Sequence, residues 1–404
     1  MKKCLLMIGA ILFFFSGCGN TETEADKSSP DTTLKHAAKE QVMIPATQTP
    51  RPILKDSTRH KIKQAIRIFE VFPMERVIRI RGGEDIVAEV HDIAFVKDNM
   101  FISDELQRKI FMLDLDGNII KTVGARGDGP GEYHSPRYVA AIWGNQLAVL
   151  DAARRLLIFD AQGNHVLTLA GNVPKFTLPG RDFAWPTKNR LFATQFKSND
   201  PDAKMVRIMD HSDLQNPVAV ADFEDRIKGR QFINATLPYP GFELVEDTIW
   251  SAVMHDGQIH VFDIHGTSVR NLSLQDPDAI KPEDFETATR NSKDANTIFK
   301  AVRDKVQITY MSYVAGVVVV QTTKGLKIFD ANGTLLSGNL YLEIKKVLGV
   351  YQNSIVTEIE VYSREESPHR YDGIPSEFKA MVELGFNFDE PEDDIYLRFG
   401  KVVE

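Results

Sequence analysis

Three dipeptides carry the side chains best suited to chemistry in this chain. They are His91-Asp92, Arg137-Tyr138 and Arg181-Asp182, and each stands just ahead of a β-prone run opening at Ile93, Val139 or Phe183. The same count along the chain reaches Gln307 and then Lys345-Lys346. If equivalent positions converge, His91, Arg137, Arg181, Gln307 and Lys345 form a cationic ring in a chain of formal net charge −8. Such a ring suits an anionic ligand or an acidic sugar, because guanidinium groups hold carboxylates through paired, charge-assisted hydrogen bonds. His91 with Asp92, Asp182 and Tyr138 is also the one acid/base set at hand, of the kind an elimination or hydrolysis uses. The plain alternative is that these polar residues line a water-filled channel and do no more.

Other motifs carry less. Residues 124–133, GARGDGPGEY, are rich in glycine but lack the Gly-Lys-Ser/Thr ending of a phosphate loop, and no helical pattern follows them. Their glycines fit positive-φ turns and close packing between neighbouring elements. The chain has no His-Glu-x-x-His, no Gly-x-Ser-x-Gly elbow and no EF-hand loop. His255 and His260 flank Asp256-Gly257 and could face one another across a hairpin, but no third ligand accompanies them. No metal, no cofactor and no catalytic residue is therefore assigned. The three tryptophans, Trp143, Trp185 and Trp250, fall inside β-prone runs, which favours packing over a sugar platform.

A repeated hairpin must position the ring. Residues 108–133 read as strand, tight turn, strand and glycine-rich link, with Asp116-Gly117-Asn118 at the turn. The unit returns at 154–171, 258–274 and 325–342, and in degraded form at 204–223. The aspartates closing the first strands are Asp114, Asp160, Asp210, Asp263 and Asp330, so the steps are 46, 50, 53 and 67 residues. A period near fifty in an all-strand pattern is that of a propeller blade. The expected fold is all-β, a six-bladed β-propeller of four-stranded antiparallel blades. The sixth blade lacks a last strand, and residues 76–81 form a strand without a partner, so this N-terminal strand is expected to close the ring and cover two sheet edges. Two small helical insertions interrupt the pattern, at 275–306, with helices over 282–290 and 296–305, and at 363–394, with a helix over 375–384.

The N-terminus supplies an address. Lys2-Lys3 precede an apolar run over 4–15 that is too short to span a bilayer, and Ser16-Gly17-Cys18 follows. Phe15-Ser16-Gly17-Cys18 resembles a bacterial lipobox, which implies a signal peptide over 1–18 and a lipid on Cys18. The only other cysteine is Cys4, inside the signal, so the exported domain has no thiol and relies on core size rather than disulfides. At 43% hydrophobic and 26% charged residues, the composition supports such a core. Residues 19–70 are expected to form a polar, disordered tether, and 71–404 the propeller. Gly19 is not the aspartate associated with inner-membrane retention, which favours an outer-membrane lipoprotein facing either leaflet. The net charge of −8 argues against a nucleic-acid partner.

The link Gly127-Asp128-Gly129-Pro130-Gly131-Glu132-Tyr133, followed by Pro136 and a strand, resembles the blade-to-blade link of NHL-repeat propellers. With the lipobox, the Phe-Asp-x-x-Gly hairpins and the closing Glu392-Asp393-Asp394-Ile395-Tyr396, the wider pattern resembles the six-bladed β-propeller lipoproteins of bacteria. The resemblance spans about residues 71–404. It implies a cell-envelope lipoprotein anchored in the membrane at Cys18, and the leading reading of its propeller is a binding module for a protein partner or a glycan. An anionic ligand would sit in an axial funnel at His91, Asp92, Arg137, Tyr138, Arg181, Asp182, Gln307 and Lys345. The alternative is a propeller lyase or hydrolase acting on an extracellular glycan.

Overall fold

Runs of β-branched and aromatic residues punctuated by Asx-Gly turns favour strands over helices throughout this chain, and the strands follow them closely. The computed structural model describes residues 54–65, 67–81, 87–142, 145–151, 155–169, 184–187, 190–194, 206–210, 218–223, 241–246, 248–252, 257–263, 267–291, 295–340, 344–359, 382–384 and 394–403. Two short helices, α1 (Asp56–Gln64) and α2 (Ile68–Val71), lead into strand β1 (Met74–Ile80). Sheet one is β2 (Asp92–Val96), β3 (Asn99–Asp104), β4 (Lys109–Asp114) and β5 (Ile119–Val123). The glycine-rich link adds a parallel pair, β6 (Ala125–Arg126) and β7 (Glu132–Tyr133).

Sheet two is β8 (Pro136–Ile142), β9 (Gln146–Asp151), β10 (Arg155–Asp160) and β11 (His165–Leu169). Sheet three is β12 (Ala184–Thr187), β13 (Arg190–Thr194), β14 (Val206–Asp210) and β15 (Val218–Phe223). Sheet four is β16 (Gly241–Val245), β17 (Thr248–Ala252), β18 (Gln258–Asp263) and β19 (Ser268–Ser273). Helices α3 (Pro282–Asn291) and α4 (Ala295–Val302) follow. Sheet five is β20 (Ile308–Val314), β21 (Val317–Thr322), β22 (Gly325–Asp330) and β23 (Leu335–Leu340). The last sheet joins β24 (Ile344–Tyr351), β25 (Ser354–Ile359) and β26 (Ile395–Lys401) to β1, which pairs antiparallel with β26 from Met74 to Ile80. Four-stranded antiparallel sheets set side by side make this an all-β propeller.

The core lies between sheets. Ile93, Ile102, Phe111, Leu348, Val356 and Phe399 pack between sheets six and one, while Phe101, Val139, Val149 and Leu157 pack between sheets one and two. Trp250 is fully buried between sheets four and five, and its indole N–H donates to Thr248 Oγ1, so this tryptophan packs as expected. The folded body also begins earlier than residue 71. Ile62 of α1 and Ile68 and Val71 of α2 are fully buried against Val317, Ile328 and Ile355 of sheets five and six. Arg59 pairs with Asp330, and the Arg398 guanidinium lies 4.2 Å over the Phe69 ring and donates to the Phe72 carbonyl. A polar stretch reads as tether because its few apolar residues are sparse, yet those at helical spacing suffice to cover the seam. The end of the expected 19–70 tether therefore belongs to the fold. Of the helix expected over 375–384, only residues 382–384 are described.

Candidate functional site

Innermost strands meet in order: β24 lies beside β2, and β2 beside β8. His91 extends β2, its backbone N–H bonded to the Ser103 carbonyl at 2.9 Å. Arg137 and Tyr138 open β8, and Ser103 Oγ donates to the Arg137 carbonyl at 2.5 Å. This backbone register brings three of the expected side chains together. The His91 and Tyr138 rings stand 5.4 Å apart at 56°. Between His91 and Arg137 sits a residue the sequence reading missed, Glu105, at the first position of the β3–β4 turn. Its Oε1 lies 2.9 Å from Arg137 Nη2, and its Oε2 lies 3.3 Å from His91 Nδ1. All three are partly open to solvent, His91 at 24%, Arg137 at 33% and Glu105 at 34%.

Lys346 of β24 borders the same place. It donates to the Val90 carbonyl and lies 3.9 Å from Glu358. The register shifts between Ile344 and Lys346, and sequence alternation cannot reveal such a bulge. Burial pushes the His91 imidazole below its usual pKa, aided by Lys346 and opposed by Glu105, Asp92 and Glu89, so His91 is neutral at neutral pH.

Of the other expected members, the side chains of Asp92 and Gln307 are described. Asp92 is 4% exposed and its Oδ2 accepts from Val139 N at 3.0 Å. It fastens sheet one to sheet two, which withdraws it from acid/base work. Gln307 is buried, and its Nε2 donates to the Val302 carbonyl at 2.8 Å, capping α4 instead of facing a ligand. Arg181, Asp182 and the Lys345 side chain lie outside the described residues, as does His255. His260 pairs with Asn271 at 3.1 Å, and no cluster of metal-ligating side chains occurs among the described residues.

Around His91 and Arg137 the charge is answered, because Glu105 reaches both. Sequence gave no signal for Glu105 beyond its place after a strand-ending aspartate. Two aromatic rings, a carboxylate and a guanidinium on one wall offer an apolar face together with donors and acceptors. Such a set can stack against a ring and hydrogen-bond to hydroxyls.

A family model described as a 6-bladed beta-propeller matches residues 63–208, which hold α2 and the strands from β1 through most of β14. The resemblance to six-bladed propeller proteins holds. Among solved structures, one described as an exported protein from Bacteroides fragilis superposes with a TM-score of 0.62 at 11% identity, covering 84% of this chain and 97% of that one. A member of the DUF4221 family from Bacteroides vulgatus gives 0.51 at 10% identity, covering 82% of this chain and 98% of that one. At such identities the likeness is one of fold. No curated protein matches the sequence.

Proposed function

We propose that this chain is a cell-envelope lipoprotein whose six-bladed, closed propeller is a saccharide-binding module, with its site at the mouth where β2, β8 and β24 converge. The observation that carries the reading is the cluster of Tyr138, His91, Glu105 and Arg137. A ring of tyrosine presents its face to sugar C–H groups, and the charged pair answers hydroxyls. Support for the closed ring comes from six four-stranded sheets among the described residues, from β1 completing the sixth, and from the 6-bladed family description. The lipobox-like Phe15-Ser16-Gly17-Cys18 supports a lipid at Cys18 and an outer-membrane address. No described helix is long and apolar enough to cross a membrane.

Calorimetric titration with maltotriose, chitotriose, galactotriose and trigalacturonate tests the reading. At least one should bind, and Tyr138→Ala should weaken it by about tenfold, a loss of about 1.4 kcal/mol of stacking. Unchanged affinity in Tyr138→Ala would contradict the assignment. For the anchor, Cys18→Ser should move the protein from the membrane fraction to the soluble one, and retention in membranes would refute lipidation there.

A further inference from the structure

Glu105 is not needed to build the turn it occupies. Residues 105–108 are held by Asp104, whose Oδ1 accepts from Gln107 N at 2.9 Å. Asp104 Oδ2 meanwhile accepts from Ala88 N at 2.6 Å and Glu89 N at 3.2 Å, binding the incoming link. The Glu105 carboxylate instead reaches across to the next sheet, to Arg137, while the neighbouring Leu106 side chain stands 70% exposed. Arg137 is incompletely used in return. Glu105 Oε1 meets Nη2, while Arg137 Nε is buried and hydrogen-bonds to nothing among the described residues. A guanidinium holds a carboxylate best through two parallel N–H donors, and here one donor is unmatched.

We propose that Glu105 keeps the place of a ligand carboxylate, and that the mouth takes an acidic saccharide, a hexuronate, whose carboxylate displaces Glu105 from Arg137. This rests on the saccharide reading above and deepens it. The Tyr138 ring beside His91 favours a sugar over an acidic peptide, because a pyranose offers a flat C–H face next to its carboxylate. Displacing the internal carboxylate costs the intrinsic site affinity, and that cost is what a substitution can remove.

The experiment compares trigalacturonate, the neutral galactotriose and tetraglutamate by calorimetry on wild type, Glu105→Gln, Glu105→Ala and Arg137→Gln. Releasing a partly exposed ion pair should tighten trigalacturonate binding about fivefold in both Glu105 variants. Galactotriose, which has no carboxylate to take the place of Glu105, should show no gain in either variant, and Arg137→Gln should reduce trigalacturonate to the galactotriose level. Thermal melts should show both Glu105 variants folded as the wild type, because Asp104 holds the turn. Equal or weaker trigalacturonate binding in the Glu105 variants overturns the proposal while leaving saccharide binding intact, and so does an equal gain for tetraglutamate. If no saccharide binds to any of the four proteins, the broader reading fails with it.

Discussion

Asp114 and Asp160 show how one residue type recurs for a single physical reason. Asp114 accepts from the backbone N–H of Asp116 and Asn118 at 3.0 and 2.8 Å, and Asp160 from Gln162 and Asn164 at 2.9 and 2.8 Å. Asp263 and Asp330 repeat the bond to Thr267 and Thr334. The aspartate that fixes the repeat period is therefore a clamp on the hairpin turn. Burial raises the pKa of Asp114 and Asp160, but the hydrogen bonds from Asn118 and Asn164 outweigh it and hold both below the usual aspartate value. A carboxylate with a lowered folded pKa stabilises the protein above its unfolded pKa, about 3.9, and that stabilisation is lost as pH falls through the folded value. Melting temperatures measured from pH about 6 down to about 3 should fall more steeply for wild type than for Asp114→Ala/Asp160→Ala. Parallel curves would show that the clamps do not govern the acid limb.

The glycine-rich link is structural, as its sequence suggested. The Tyr133 side chain is buried, its hydroxyl donating to the Val123 carbonyl at 2.6 Å and accepting from Ile110 N at 3.2 Å. Burial pushes its phenol up to about 12, so it remains a donor at any ordinary pH. Gly124, with φ +70°, and Gly131, with φ +77°, complete the link, since a Cβ at Gly124 would lie 2.6 Å from the Tyr133 ring. Arg155 ties the link to sheet two through Asp151 and the Gly127 carbonyl. Tyr133→Phe should lower the free energy of urea unfolding by about 1–3 kcal/mol, because it leaves a buried N–H and a buried carbonyl unmet. A loss below about 0.5 kcal/mol would mean that other groups answer them.

These elements were legible because each announces itself locally. The strands over 92–96 and 119–123 could be bounded from alternation and Asx-Gly turns alone. Glu105 and Lys346 were not legible. Their positions follow from a turn held by Asp104 and from a bulge in β24, and neither has a signature in composition or period. The engagement of the Gln307 side chain was not legible either. An inserted helix pair precedes β20, and its end needed an N–H donor for the Val302 carbonyl.

At the scale of the whole molecule, the N-terminal strand supplies the fourth strand of the last sheet. Ile78 and Ile80 of β1 are buried between sheets six and one, Arg76 lies 4.2 Å over the Phe399 ring, and its Nη1 donates to the Leu115 carbonyl at 3.2 Å. The strand thus joins sheet six to sheet one as well as covering β26. Ile80→Asp should cost several kcal/mol by burying an unpaired carboxylate, and should drive self-association through the bared β26 edge. Light scattering that shows a monomer as stable as wild type would remove β1 from this role.

The proposed site is the mouth shared by sheets six, one and two, and a crystal soaked in trigalacturonate addresses it directly. A sugar ring should lie on Tyr138 beside His91, with its carboxylate on Arg137 and Glu105 turned away. Trigalacturonate bound elsewhere on the protein, or a mouth with Glu105 still on Arg137 at a saturating concentration, would contradict it.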